Sequence, residues 1–208
     1  PGRFAGIDRE AAAMALRAQI AVDADVPLLG FVGHLVEQKQ PELAIDVVAA
    51  VRRSGQAAHL VVAGDGPRRA LVEGRIAEQG VAEAVTMLGH RDDPEAIFGA
   101  SDLALITSNA EGVPGVAIEA QMTGCPVVSF PVGSIGEVVD DGVTGVVVAR
   151  ADVVLMAERV SELLRDRPTL QAMSRAAMTR GAAFSMSSAA SLYASRFEEL
   201  LSTLSDGG

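Results

Sequence analysis

Val26-Pro-Leu-Leu-Gly-Phe-Val-Gly33 is an apolar run closed by glycine, followed by the polar stretch His34-Leu-Val-Glu-Gln-Lys-Gln40 and then Pro41. The run is too short for a helix and lacks the alternation of a half-buried strand. It has the form of a strand buried on both faces, which is how strands of a parallel sheet read. After the polar loop, Pro41 opens a helix whose apolar positions include Leu43, Ile45, Val47, Val48 and Val51, ended at Ser54-Gly55.

The same unit recurs along the chain. Strands are expected at His59–Ala63, Val85–Leu88, Leu103–Ile106, Pro126–Phe130 and within Gly142–Val148. Helices are expected through Leu71, Val72 and Ile76 up to Gly80, from Asp93-Pro94 through Phe98, and from Pro114 to about Met122. Strands alternating with helices at this spacing specify an α/β fold, a Rossmann-like parallel six-stranded sheet with helices on both faces. Residues 1–25 read as a lead-in, with Asp8 capping a helix through Ile20. After Val148 the pattern is helical: Asp152–Leu164, Pro168–Gly181 and Ser187–Leu204, broken at Phe184-Ser185. The chain divides into this lead-in, a core over 26–182 and a C-terminal helix in 183–208, all within one ligand-binding domain. Ligands of such sheets bind beyond the carboxyl ends of the strands. The loops His34–Gln40, Gly64–Pro67, Gly89–Asp92, Ser108–Gly115 and Pro131–Glu137 therefore converge on one edge, and Lys39 comes close to Glu111 and Glu119.

One of those loops carries most of the chemistry: Asn109-Ala-Glu111-Gly-Val-Pro-Gly-Val-Ala-Ile-Glu119-Ala120. Pro114 suits the first helical position, which would leave the amides of Gly115, Val116 and Ala117 free at a helix N-terminus, an anion site. Glu111 then lies on the loop and Glu119 one turn inside the helix. A phosphate cradle flanked by two carboxylates fits a ligand carrying both phosphates and hydroxyls, such as a nucleotide sugar. Carboxylates beside a diphosphate repel it unless aimed at hydroxyls; a ribose diol suits Glu119 and sugar-ring hydroxyls suit Glu111. The same residues also fit an ordinary loop–helix junction with two solvated glutamates, or an acid/base pair for glycoside hydrolysis.

Composition narrows the alternatives. A net charge of -10 over 208 residues argues against nucleic acid and against an anionic membrane surface as partners. No run is long enough to span a bilayer and no signal peptide is present, so the expected compartment is the cytoplasm. The one cysteine, Cys125, precludes an intrachain disulfide and fits a small core residue. His34, His59 and His90 have no partners at metal-ligand spacing, so no metal is expected. Of the 17 basic residues 16 are arginine; Lys39 is the single lysine. A compact ammonium kept at one place suits a point contact to phosphate. Gly64-Asp-Gly-Pro67 resembles half of a dinucleotide fingerprint, but Arg69 replaces the third glycine and a tight turn is the expected role.

Several pieces together resemble the C-terminal, donor-binding domain of retaining GT-B glycosyltransferases of family four (glycosyl transferases group 1). They are Phe31–Lys39, Val62–Pro67, Ala100–Leu105, Glu111–Ala120, Gly124–Val128, and Gly133-Ser-Ile-Gly-Glu137 followed by Asp141–Gly145. They occur in the family's order and span nearly the whole chain. The resemblance implies one half of a GT-B fold and metal-independent transfer of a sugar, with retention, from a UDP- or GDP-linked donor. It implies that Lys39 binds the diphosphate and that Glu111 holds sugar hydroxyls; these two are the candidate catalytic residues. Backbone amides within the stretch Gly112, Val113, Pro114, Gly115, Val116 and Ala117 would assist, Glu119 would hold the ribose, and His90 and Arg91 would pass along the base. Gly33, His34 and Gly64 complete the implied donor site, and no cofactor is implied.

The chain departs from the family's pattern in three respects. His34 stands where the family usually has arginine. Gly133-Ser134 replaces a common Gly-Gly. The N-terminal acceptor domain is not within these residues, so the expectation is a donor half that binds nucleotide without turnover, with any membrane contact made through the absent domain. Two other readings keep the fold: a non-catalytic nucleotide-binding module, and a GT-B-like epimerase or phosphorylase.

Overall fold

The computed structural model describes residues 3–4 and 6–184. Six parallel strands form one sheet: β1 (Leu28–Val32), β2 (His59–Ala63), β3 (Val85–Gly89), β4 (Leu103–Ile106), β5 (Val127–Ser129) and β6 (Gly145–Val147). Their order is β3-β2-β1-β4-β5-β6, parallel throughout. That is the doubly wound order, in which the winding reverses between β1 and β4 and leaves a crevice at their carboxyl ends.

Helices cover both faces. The alternation of β2 shows how: Leu60 and Val62 pack with α2 (Pro41–Arg53), α3 (Arg69–Gln79) and α7 (Val153–Arg165), while Val61 and Ala63 pack with α1 (Arg9–Ile20) and α4 (Pro94–Ala100). Around β4 and β5 the second face is completed by α5 (Gly115–Met122) and α6 (Ile135–Val138). The six-stranded Rossmann-like sheet expected from the sequence is therefore present, and its element order agrees.

Local chemistry sets the boundaries. The Asp8 carboxylate accepts from the Ala11 amide and starts α1; Asp152 does the same for α7 from Val154 and Leu155. Pro41 occupies the first turn of α2, where its missing N–H costs nothing. The sixth strand follows a turn as expected, Gly145–Val147 after the Thr144 amide returns to Asp140. Two features differ from expectation. The loop Pro131–Glu137 contains the start of the short helix α6. Pro114 caps α5 instead of opening it. The helix expected at Ser187–Leu204 lies outside the described residues.

The last described helix, α8 (Arg167–Ala182), packs on α5 through Gly181. A Cβ there would stand 2.4 Å from the Met122 nitrogen and 2.6 Å from the Gln121 carbonyl carbon. No helix of the described residues is long and apolar enough to cross a membrane.

Gly181→Ala sets two effects against each other. Helix propensity favours alanine by about 0.5–1 kcal/mol, and overpacking against a backbone costs about 1–3 kcal/mol. The clash is with main chain, so the second should win: urea unfolding should show a lower midpoint with an unchanged slope.

Candidate functional site

The loops after β1 and β4 flank the crevice, and they are tied together along their backbones. The Asn109 amide donates to the Gln38 carbonyl at 2.9 Å, and the Gln38 side-chain amide donates to the Ala110 carbonyl at 2.7 Å. The Thr107 hydroxyl, at the end of β4, lies 3.0 Å from the carbonyl oxygens of both Lys39 and Gln40. Gln40 has left-handed backbone, φ 43° and ψ 54°, where it joins a short 3-10 turn at Glu37–Lys39 to α2. Such a conformation costs a non-glycine residue of order 1 kcal/mol and persists where its surroundings fix it.

This stitching brings Lys39 and Glu111 together. The Lys39 ammonium lies 2.5 Å from Glu111 Oε1 in an ion pair whose carboxylate side chain is only 9% exposed and whose ammonium side chain is 23% exposed. Under the Glu111 loop lies Gly133, at φ +49°. A Cβ at this position would meet the Glu111 and Gly112 carbonyl oxygens at 2.3 and 2.5 Å. The next residue, Ser134, donates its amide to the Gly112 carbonyl at 3.0 Å. The β5 loop is thus the floor on which the Glu111 loop rests.

The stretch beyond Glu111 divides by exposure. Gly112 and Val113 face solvent at the loop tip, and Pro114 is buried beneath them. The Ala117 amide donates to the Pro114 carbonyl at 3.0 Å, so it is not available at the helix N-terminus as expected. The cause is the one-residue displacement of the helix start. Gly115 and Val116 remain at the open first turn, with Gly115 exposed.

Beside the ion pair, a cavity of about 160 Å³ collects six of the expected residues: Gly33, His34, Gly64, His90, Arg91 and Glu119. Val32, Ala63, Asp65 and Pro94 complete its lining. Gly64 crosses Gly33 so closely that a Cβ on Gly64 would stand 1.9 Å from the Gly33 carbonyl oxygen. His34 is exposed at the mouth. Arg91 is held by the Asp93 carboxylate through two bonds of 2.7 and 2.6 Å, which hold Asp93 below and Arg91 above their ordinary pKa values. His90 faces Asp92 at 3.1 Å. Lys39, Glu111 and the Gly112–Ala117 stretch lie outside this lining, so the expected residues form two adjoining groups.

Glu119 is half-buried in the cavity wall. Burial is the main cause holding its pKa above the ordinary glutamate value; the charges of Arg3 and Lys39 pull it down and Glu95 adds to the rise. Cys125 is fully buried and its thiol is pushed up to about 12, as a core residue. His59 is buried against the Thr86 hydroxyl at 2.8 Å and is structural. Among the described residues no group of three or more His, Cys, Asp or Glu could hold a metal ion. Asp65, Pro94, Thr107 and Gln38 shape the site but carry no chemical signature in the sequence beyond their place in loops after strands.

A family model for glycosyl transferases group 1 matches residues 14–180. The chain belongs to this family. The α-D-kanosaminyltransferase of Streptomyces kanamyceticus is 31% identical over 202 residues, which are 95% of this chain and 52% of that protein. The D-inositol 3-phosphate glycosyltransferase of Nocardia farcinica is 34% identical over 194 residues, 88% of this chain and 42% of that protein. The chain spans about half the length of the curated relatives it matches. The crystal structure of HepE from Anabaena in complex with UDP-glucose superposes with a TM-score of 0.78 at 23% identity, covering 87% of this chain and 50% of that one. The lipopolysaccharide glycosyltransferase WaaG gives 0.73 at 22%, covering 82% and 46%. At these identities the two structures speak for the fold.

The Glu119 carboxylate provides a test with a definite sign. A carboxylate whose pKa is raised on folding opposes stability above that pKa and has no effect below the ordinary glutamate range, where folded and unfolded forms are both protonated. Glu119→Gln should therefore unfold at higher urea concentration than the parent at pH 7, and the advantage should vanish on acidification through the ordinary glutamate range.

Proposed function

We propose that this chain is the donor-binding half of a glycosyltransferase that moves a sugar from a nucleoside-diphosphate sugar to an acceptor. The observation that carries the reading is the Lys39–Glu111 ion pair at the crevice between β1 and β4, adjoining the cavity walled by Glu119. In this reading the nucleoside lies in the cavity, with the base along His90 and Arg91 and the ribose diol on Glu119. The diphosphate runs out past Gly33 and His34 to Lys39. The sugar sits against Glu111, at the tip loop Gly112–Pro114.

The chemistry follows from charge. As the bond between the anomeric carbon and the diphosphate oxygen breaks, negative charge grows on the leaving diphosphate. Lys39 offsets it as a point charge, and the Gly115 and Val116 amides at the start of α5 add partial positive charge. Phosphate competes with Glu111 for the ammonium. A donor that engages Lys39 thereby frees the Glu111 oxygens to accept from sugar hydroxyls. The donors are held in place by the Gln38, Thr107 and Asn109 bonds before any ligand arrives, so little ordering is needed at the reacting centre.

The finer assignments belong to the same proposal. Transfer is with retention, by front-face attack of an acceptor held in a second, N-terminal domain. The leaving charge is carried by side chains and helix amides without a metal ion. UDP is the preferred nucleotide, supported by the HepE complex with UDP-glucose. The lone buried thiol supports a reducing compartment, the cytoplasm.

Isothermal titration of the chain with UDP and GDP tests the core of this reading. Binding of UDP is expected, and a folded sample that binds neither nucleotide overturns it. Lys39→Ala should weaken UDP by about tenfold or more, the scale of one charged hydrogen bond, while leaving uridine affinity nearly unchanged. Equal losses for both would remove Lys39 from the diphosphate role. UDP affinity should be the same with EDTA present; a requirement for added magnesium or manganese would contradict the metal-free account.

A further inference from the structure

The opposite end of the sheet carries a second polar cavity, of about 340 Å³, between α1, the entry to β4 and α8. It is lined by Arg9, Asp102, Arg167, Gln171, Ser174 and Arg175, with one leucine. Three arginines thus face a single carboxylate in a chain whose net charge is -10.

The donors are held in different ways. The Arg9 guanidinium spans three carbonyl oxygens, those of Phe98 at 3.3 Å, Thr123 at 3.1 Å and Ser101 at 2.6 Å. Carbonyls fix its position but leave its charge uncompensated. Asp102 is already shared. It accepts from the Leu28 amide at 2.8 Å, from Arg167 at 3.0 Å, and lies 3.8 Å from Arg17 outside the lining. Arg167, Gln171 and Arg175 follow one another at four-residue steps, so they share one face of α8. Among the described residues the Arg175 guanidinium and the Gln171 amide have no hydrogen-bond partner.

We propose that this cavity is a second anion site, for a phosphate group. Two surplus positive charges match a dianion. Planar guanidinium forks present paired N–H groups that fit tetrahedral oxyanions. The Gln171 amide can add a neutral contact at its wall; the Ser174 hydroxyl is already committed to the Gly124 carbonyl at 2.6 Å. The site lies at the amino ends of β1 and β4, the far side of the sheet from Lys39, so it is separate from the proposed donor site and stands or falls independently of it. The phosphate comes either from a soluble phosphate ester or from a phospholipid headgroup.

The test uses the 208-residue chain carrying Lys39→Ala, which weakens the other phosphate contact. Inorganic phosphate is titrated calorimetrically into this variant and into Lys39→Ala/Arg175→Ala. Arg175 is exposed on α8, so its removal should leave folding intact. Sedimentation with phosphatidylcholine vesicles, with and without phosphatidylglycerol, is run on the same two proteins. Phosphate binding that survives Lys39→Ala and weakens about tenfold on adding Arg175→Ala supports the site with a soluble ester as its ligand. Arg175-dependent sedimentation with the anionic vesicles alone supports it with the headgroup as ligand. No binding of either probe, or binding indifferent to Arg175→Ala, overturns it.

Discussion

The ion pair between Lys39 and Glu111 is the contact that joins the two loops at the crevice. A lysine and a glutamate so little exposed are stable together only if each compensates the other, because an unpaired charge at such a depth is costly. The pair joins two loops that are 72 residues apart in sequence and leave the sheet from adjacent strands. The bonds from Thr107, Asn109 and Gln38 make the two loops one unit, and Gly133 allows the next loop to close beneath it.

Strand order supplies the reason for this arrangement. In a parallel sheet wound in both directions from β1, the loops after β1 and β4 diverge to opposite faces, and the cleft between them needs no side chain to create it. Chemistry is then added at the rim. The apolar β2 alternation, the helix caps and the Gly181 contact build a rigid frame, and the polar residues of the site, apart from Glu119 on α5, sit on loops that the frame holds at fixed separation.

Much of this was legible in the residues. The closed apolar runs gave the strands, and the recurrence of strand and helix gave the parallel sheet. The single lysine and the two glutamates around Pro114 pointed to one edge because loops after parallel strands must converge there. The short helix α6 was not legible: Ile135–Val138 is one turn, too short for a periodic pattern. The displaced start of α5 turns on the backbone of Pro114, whose extended conformation makes it a cap, and propensity cannot separate a cap from a first helical residue. Thr107, Gln38 and Asp65 carry no individual signature in the sequence for a different reason. Their contributions are bonds to main chain or positions in a wall, and residue type alone does not encode either.

The rarity of lysine in this chain has a practical side. With arginine at every other basic position, Lys39 offers the single ε-amine, and it is the one paired with Glu111. Amine-directed labelling of the side chains would therefore report on one bond. Whatever loosens or shields that ammonium would appear as a change in a single modification rate, so the chain carries its own spectator-free reporter at the centre of the crevice.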